Sequence, residues 1–253
     1  RLRDRKKEAS GKADGASGSA GAGERLLAQL TDRLGWRYAF DRAVREPAKQ
    51  SVTALTHRDD EFARVDYSRA LDRRPLALAG SGAGTSSGPA SRVIGTAVHL
   101  VISSLDLSRP VTRDAVERTR ESLIAQGAVI PAVGAAIDVE AILSFFESEV
   151  GSVVLDKANT VWREWPFTWG LAVSGVEEMV VVQGMIDMLV RTPEGLLVID
   201  FKTDRVSDAD VDKRADAYRG QLELYGQAAS AILKVPVRAK WLYFLVPSQA
   251  IGV

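Results

Sequence analysis

Two apolar runs with the alternation of β-strands lie almost back to back, EEMVVVQGMIDMLV at residues 177–190 and GLLVIDFKT at residues 195–203. Between them stands Thr192-Pro193-Glu194-Gly195, in which proline fixes one turn position and glycine tolerates another, so the runs read as a hairpin. With Pro193 and Glu194 at the centre of the turn, counting outward along both strands brings Asp187 opposite Asp200. Directly opposed like charges destabilise a sheet. Two carboxylates placed so, inside strands otherwise built of Val, Ile, Met and Leu, break a local rule, as functional sites do. A hard divalent cation with oxygen ligands would remove the repulsion. On the second strand Val198, Asp200 and Lys202 share one face and Leu197, Ile199 and Phe201 the other, so an acid and a base project together. The competing readings are a solvent-facing charge pair on an edge strand and a bulge at Gly195 that would send the aspartates to opposite faces.

Upstream of the strands the period is helical. Ile94, Val98, Val101 and Leu105 mark an amphipathic helix that carries His99 near the edge of its stripe. Capping residues and glycines delimit two more helices, one starting after Thr112 and stopping at Gly127, the other starting at Asp138 and stopping near Gly151. VWREWPFTW at residues 161–169 adds a strand before the hairpin. Beyond it, Val211, Ala215, Tyr218, Leu222, Tyr225, Ala229 and Ile232 recur in steps of four and three as a helix, and RAKWLYFLV at residues 238–246 reads as a strand. Helices, three strands, a helix and a strand in that order predict one α/β domain on a mixed sheet.

The first 23 residues combine a basic cluster with GKADGASGSAGAG and read as a linker. A helical pattern follows at residues 24–32, then short extended or docking segments at 36–40 (WRYAF) and 51–56 (SVTALT). A second Gly/Ser-rich break at 80–91 contains neither G-x-x-x-x-G-K-[ST] nor G-x-G-x-x-G, so no nucleotide-cradling loop is expected there. The chain opens on Arg1 rather than Met, as expected of a piece of a longer protein, and any motor would lie outside it. With 33 Lys+Arg against 33 Asp+Glu, bulk charge exerts no pull toward nucleic acid or an anionic membrane. Cysteine is absent, which excludes thiol nucleophiles and zinc ribbons and fits a reducing compartment such as the cytoplasm. Only His57 and His99 offer imidazole ligands.

Gly95, one helical turn before His99, opens that side of the helix to another backbone or a ligand. Gln221 and Tyr225 are likewise one turn apart, and by spacing alone they read as an amide on the margin of the stripe and a core tyrosine. Trp162, Trp165, Phe167 and Trp169 could stack bases, but as strand residues they read mainly as core.

Five segments in order, GTAVH (residues 95–99), REWPF (163–167), GMID (184–187), DFKTD (200–204) and QLELY (221–225), resemble the RecB-like nuclease branch of the PD-(D/E)xK superfamily. The segments at 36–40 and 51–56 also look like the entry to the C-terminal nuclease domain of AddA-type helicase–nuclease subunits. The resemblance implies a restriction-endonuclease-like core, a central mixed β-sheet flanked by helices, over residues 33–253 with its motifs in 92–247, after a basic Gly/Ser/Ala-rich linker at 1–32. It implies that His99, Asp187, Asp200 and the carbonyl of Phe201 bind Mg²⁺, for which Mn²⁺ or Ca²⁺ can substitute in binding. Lys202 would activate the attacking water, Gln221 and Tyr225 would support the site and the DNA strand, and Glu164 would have a structural or supporting role. The implied partners are DNA, mainly single-stranded, a helicase on the same parent chain and a second nuclease/helicase subunit, with no membrane. The alternatives are an inactive nuclease-like DNA-binding or docking module and an unrelated Mg²⁺-dependent phosphohydrolase acting on nucleotides.

Neutral composition generates a prediction. The isolated chain should bind duplex DNA weakly and lose that binding as salt rises, because phosphate contacts release counterions. Tight, salt-insensitive binding in a fluorescence-anisotropy titration would contradict it.

Overall fold

The computed structural model describes residues 49–56, 91–172 and 179–253, together with 27, 28 and 31. Residues 1–23, the segment at 36–40 and all of the Gly/Ser-rich break at 80–91 except Ser91 lie outside the described residues, and the helix at 24–32, within the expected linker at 1–32, is described at three positions, all helical. Contacts divide the chain into Arg1–Glu46 and Pro47–Val253, and the architecture below is that of the second unit.

A short strand, β1 (Lys49–Ser51), runs directly into helix α1 (Val52–Thr56), so the stretch read as extended or docking is mainly helical. Among the described residues five helices follow: α2 (Ser91–Ser104), α3 (Arg113–Ala125), α4 (Pro131–Ala135), α5 (Val139–Glu147) and α6 (Glu149–Leu155). Their ends obey local chemistry. Thr112 accepts from the amide of Ala115 and Asp138 from that of Ala141, each satisfying an N–H that a first turn leaves unpaired. The single helix expected from Asp138 to near Gly151 is two helices. Ser148 breaks it: its hydroxyl donates to the Phe145 carbonyl and accepts from the Gly151 amide, ending α5 and starting α6. Gly151 therefore stands in the first turn of α6, where a Cβ would come within 2.0 Å of the Phe145 carbonyl oxygen.

The strands are β2 (Thr160–Ala172), β3 (Met179–Thr192) and β4 (Gly195–Lys202). Thr192 faces Gly195 and Met188 faces Ile199, so the hairpin has the register expected from its turn, and no bulge intervenes. A short 3₁₀ turn (Asp208–Asp210) leads into α7 (Val211–Leu233), which crosses over to β5 (Val237–Phe244), parallel to β4. Strand β6 (Gln249–Gly252) then returns antiparallel to β5. The mixed six-stranded sheet has the order β1-β3-β4-β5-β6, with β2 on the other edge of β3. Helices α2 to α6 cover one face, over Met188, Val190, Leu197, Ile199 and Phe201. Helix α7 packs on the other, against Leu189, Val198, Leu242 and Phe244. Among the described residues, no helix is long and apolar enough to cross a membrane.

Two features of β3 locate the site. Along one edge it pairs with β1 through Gln183 and with β4 from Met188, so Gly184 to Asp187 have no strand partner there among the described residues. Along the other edge the alternation slips in both strands at once. Trp162 packs on the α7 face, Arg163 reaches toward α2, and Trp165 and Phe167 are again on the α7 face. Glu164, between them, has a left-handed backbone, φ 49°. In β3 the same happens between Ile186 and Leu189, both on the α7 face, with Asp187 and Met188 both turned toward α2. The slips match, so Arg163 still pairs with Met188 and Trp165 with Ile186.

Gly151 and Gly127 are expected to respond differently to alanine. Gly127→Ala places a Cβ in open space at φ 72° and should cost about 1 kcal/mol through backbone conformation alone. Gly151→Ala drives a Cβ into main chain and should cost more, about 1–3 kcal/mol, despite the better helix propensity of alanine. Urea midpoints check this order; a stabilised Gly151→Ala chain would contradict it.

Candidate functional site

Helix α2 carries His99 to the gap in β3, and three contacts fix it there. The Cβ that Gly95 lacks would lie 2.6 Å from the Thr203 hydroxyl, so glycine lets the chain after β4 press against the helix. Phe201 meets the imidazole edge-on at 6.1 Å and also packs on Phe145. At the helix end, the Arg163 guanidinium donates to the carbonyls of Leu105 and Ile102, satisfying acceptors that a helix C-terminus leaves open. The residue that ties β2 to α2 is thus the neighbour of Glu164.

At this point His99 Nδ1 lies 3.3 Å from Asp187 Oδ1 and 4.0 Å from Glu164 Oε1. The potential ligand atoms of His99, Glu164 and Asp187 all fall within 4.8 Å of one another. Asp187 is held from its other side too, because Oδ2 accepts from the Phe201 amide at 2.8 Å. The backbone group that Phe201 brings to Asp187 is its amide N–H.

Asp200 stands next to this group rather than in it. Its side chain is 1% exposed, with Oδ2 2.6 Å from Lys202 Nζ and Oδ1 accepting from Gln221 Nε2 at 3.3 Å. Gln221 links the pair, since its Oε1 accepts from Lys202 Nζ at 3.1 Å and its Nε2 also donates to the Tyr225 hydroxyl at 2.9 Å. The amide that spacing alone placed on a stripe margin is buried, and Tyr225 is fully enclosed beside it. His99, Asp187, Asp200, Phe201, Lys202, Gln221 and Tyr225 thus gather at one end of the β3–β4 hairpin. Glu164, read from the sequence as structural or supporting, joins them. The available signal was the aromatic spacing: Trp162 and Trp165 can share a strand face only if the alternation slips at residue 163 or 164.

Charges are packed tightly enough to shift one another. Burial opposes protonation of His99, but Asp187, by charge and hydrogen bond, with Glu164 and Asp200, raises it to about 9. Burial pushes Glu164 up to about 7, with Asp187 adding and His99 opposing. Burial likewise lifts Asp200 to about 6 against the pull of Lys202. Asp187 is also buried, yet His99, Lys202 and the Phe201 amide hold it below the ordinary carboxylate range. Carboxylates held this close, with one imidazole, suit a hard divalent cation. His99 Nδ1 and Asp187 Oδ1 face each other across 3.3 Å, with Glu164 at the edge of the gap.

A model of the PD-(D/E)XK nuclease superfamily matches residues 63–251. The chain is similar to an ATP-dependent helicase/nuclease subunit of Desulforamulus reducens, at 34% identity over 241 residues, covering 90% of this chain and 19% of the relative. It is 34% identical over 237 residues to the corresponding subunit of Moorella thermoacetica, covering 87% and 16%, and 30% identical over 246 residues to that of Bacillus cereus, covering 89% and 19%. The chain therefore spans less than a fifth of the length of these curated relatives.

The shifts set the sign of a pH dependence. Glu164, Asp200 and His99 hold protons more tightly in the folded chain than at their ordinary values of 4.5, 3.8 and 6.5. The folded state thus binds more protons than the unfolded between about pH 4 and 9, and stability of the metal-free chain should fall as pH rises through that window. Asp187, held low, contributes stability that is lost only as pH drops below its ordinary 3.8. Denaturation midpoints in chelating buffer at constant ionic strength check this; midpoints that climb toward alkaline pH would contradict it.

Proposed function

We propose that this chain, which belongs to the PD-(D/E)XK nuclease superfamily, is a Mg²⁺-dependent deoxyribonuclease domain that hydrolyses phosphodiester bonds of single strands delivered by a helicase. The carrying observation is the convergence of His99, Glu164 and Asp187 beside the Asp200–Lys202 pair. Similarity to helicase/nuclease subunits over most of the chain supports an exonuclease working with a motor on the same parent polypeptide and with a second subunit, in double-strand-break processing and recombination in the cytoplasm. Delivery by a motor also answers the neutral charge of the chain, since a tethered strand has a high effective concentration.

His99, Asp187, Asp200 and the Phe201 carbonyl would hold the cation, with Glu164 as a further carboxylate at its edge. A bound divalent ion polarises a phosphate and lowers the pKa of water. Lys202 presents an ammonium to the attacking water and the scissile phosphate, where positive charge matters most as negative charge develops. Asp200 and Gln221 orient that ammonium, and Tyr225 fixes the Gln221 amide.

Single-turnover cleavage of an end-labelled single strand, with calorimetric Mg²⁺ binding, tests this reading. Asp200→Ala should abolish cleavage and most ion binding. Lys202→Ala should keep ion binding but lose about 10²-fold or more in rate, the effect of removing a preorganised electrostatic donor. Near-wild-type cleavage by both variants would overturn the mechanism. Strand binding by the wild type without any cleavage would favour an inactive module.

A further inference from the structure

Lys202 has a third neighbour that the mechanism above does not use. Its Nζ lies 4.0 Å from the centroid of the Tyr218 ring, on the face of α7 that also carries Gln221. The ring is itself anchored. Its hydroxyl donates to Asp204 Oδ2 at 2.8 Å and accepts from Arg214 Nη2 at 2.6 Å, while Arg214 Nε donates to the same Asp204 oxygen at 2.8 Å. Asp204 follows β4 two residues after Lys202, and Arg214 and Tyr218 are one turn apart on α7. The triangle therefore closes between the segment that bears the lysine and the helix that faces it.

We infer that Tyr218 is a positioning residue for Lys202, its ring a fixed floor that keeps the ammonium in place when Asp200 turns toward a cation. The inference rests on the nuclease reading. Asp200 Oδ2 is sealed from solvent and its near contact is the lysine ammonium. If this carboxylate engaged a cation, its hold on the ammonium would weaken and the two positive charges would repel. What remains is the Gln221 carbonyl oxygen and the π face of Tyr218, which attracts a cation through the ring quadrupole without competing for the metal. The Asp204–Arg214 tether keeps the ring from swinging away with its guest.

Tyr218→Leu removes the floor, and Tyr218→Phe keeps the ring but cuts its tether. The expected order of single-turnover rates is wild type, then Phe, then Leu, with a loss of about tenfold for Leu. The apparent affinities for Mg²⁺ and for the oligonucleotide should be unchanged, a split that loss of packing alone would not produce. A direct signature accompanies it. The Lys202 ε-methylene resonance, assigned through Lys202→Arg in ¹³C-lysine-labelled protein, should be shifted upfield by the ring in the wild type and in Phe, and return to the random-coil position in Leu. If Tyr218→Leu does not fold, Tyr218→Phe and Asp204→Asn carry the test, each losing a few-fold in rate at unchanged Mg²⁺ affinity. Full activity in Tyr218→Leu, or in both substitute variants, overturns the positioning role and leaves the nuclease reading intact. An inactive wild type with the upfield resonance in place overturns the nuclease reading, and the positioning role falls with it.

Discussion

Glu164 is held with its backbone in the left-handed region, a conformation that costs a non-glycine residue of order 1–3 kcal/mol and persists only where the surroundings enforce it. Here the enforcement comes from both sides. The β2–β3 ladder continues above and below, pairing Arg163 with Met188 and Trp165 with Ile186. Arg163 is then pinned to the end of α2. The matched slip opposite, in β3, turns Asp187 the same way. Without it, strict alternation would bury one of these neighbours among the tryptophans on the α7 face. With it, two carboxylates from paired strands look at one imidazole, in the stretch of β3 that neither β1 nor β4 covers.

The charge balance of the site follows from that placement. Three carboxylates, Glu164, Asp187 and Asp200, share the pocket with two basic groups, His99 and Lys202. The chain alone manages this by keeping the imidazole protonated and by raising Glu164 and Asp200 toward their neutral forms. A divalent cation with a neutral imidazole would leave the same groups balanced with every carboxylate ionised, so cation binding and proton release are linked. Of the three, Asp187 is held below the ordinary carboxylate range, by the charge and hydrogen bond of His99, by Lys202 and by the Phe201 amide.

Much of this was legible in the sequence because it depends on local rules. The turn at Pro193 and Glu194 fixes the register, which the structure keeps to Met188 and Ile199 before the strands part; the expected facing of Asp187 and Asp200 is replaced by a slip that turns Asp187 toward α2 and leaves Asp200 beside Gln221. The caps at Thr112 and Asp138 start the helices as expected. What was not legible depends on partners distant in the chain or on one residue's backbone. Strand β1 is three residues long and pairs with a segment about 130 residues away, and β6 is four residues long. Ser148 divides a continuous apolar pattern without interrupting its period, and α4 is a single turn after Pro131. The position of Glu164 at the imidazole depends on its left-handed backbone, and alternation carries no sign of which face a carboxylate takes once the backbone slips.

In the proposed site His99, Asp187, Asp200 and the Phe201 carbonyl hold a divalent cation, with Glu164 at its edge. The most direct measurement is anomalous diffraction from crystals of the chain grown with Mn²⁺. One strong peak is expected within about 2.0–2.6 Å of a His99 ring nitrogen and of Asp187 Oδ1, the range for hard-cation ligands. Crystals at saturating Mn²⁺ with His99 still bonded to Asp187 and no peak between them would contradict it.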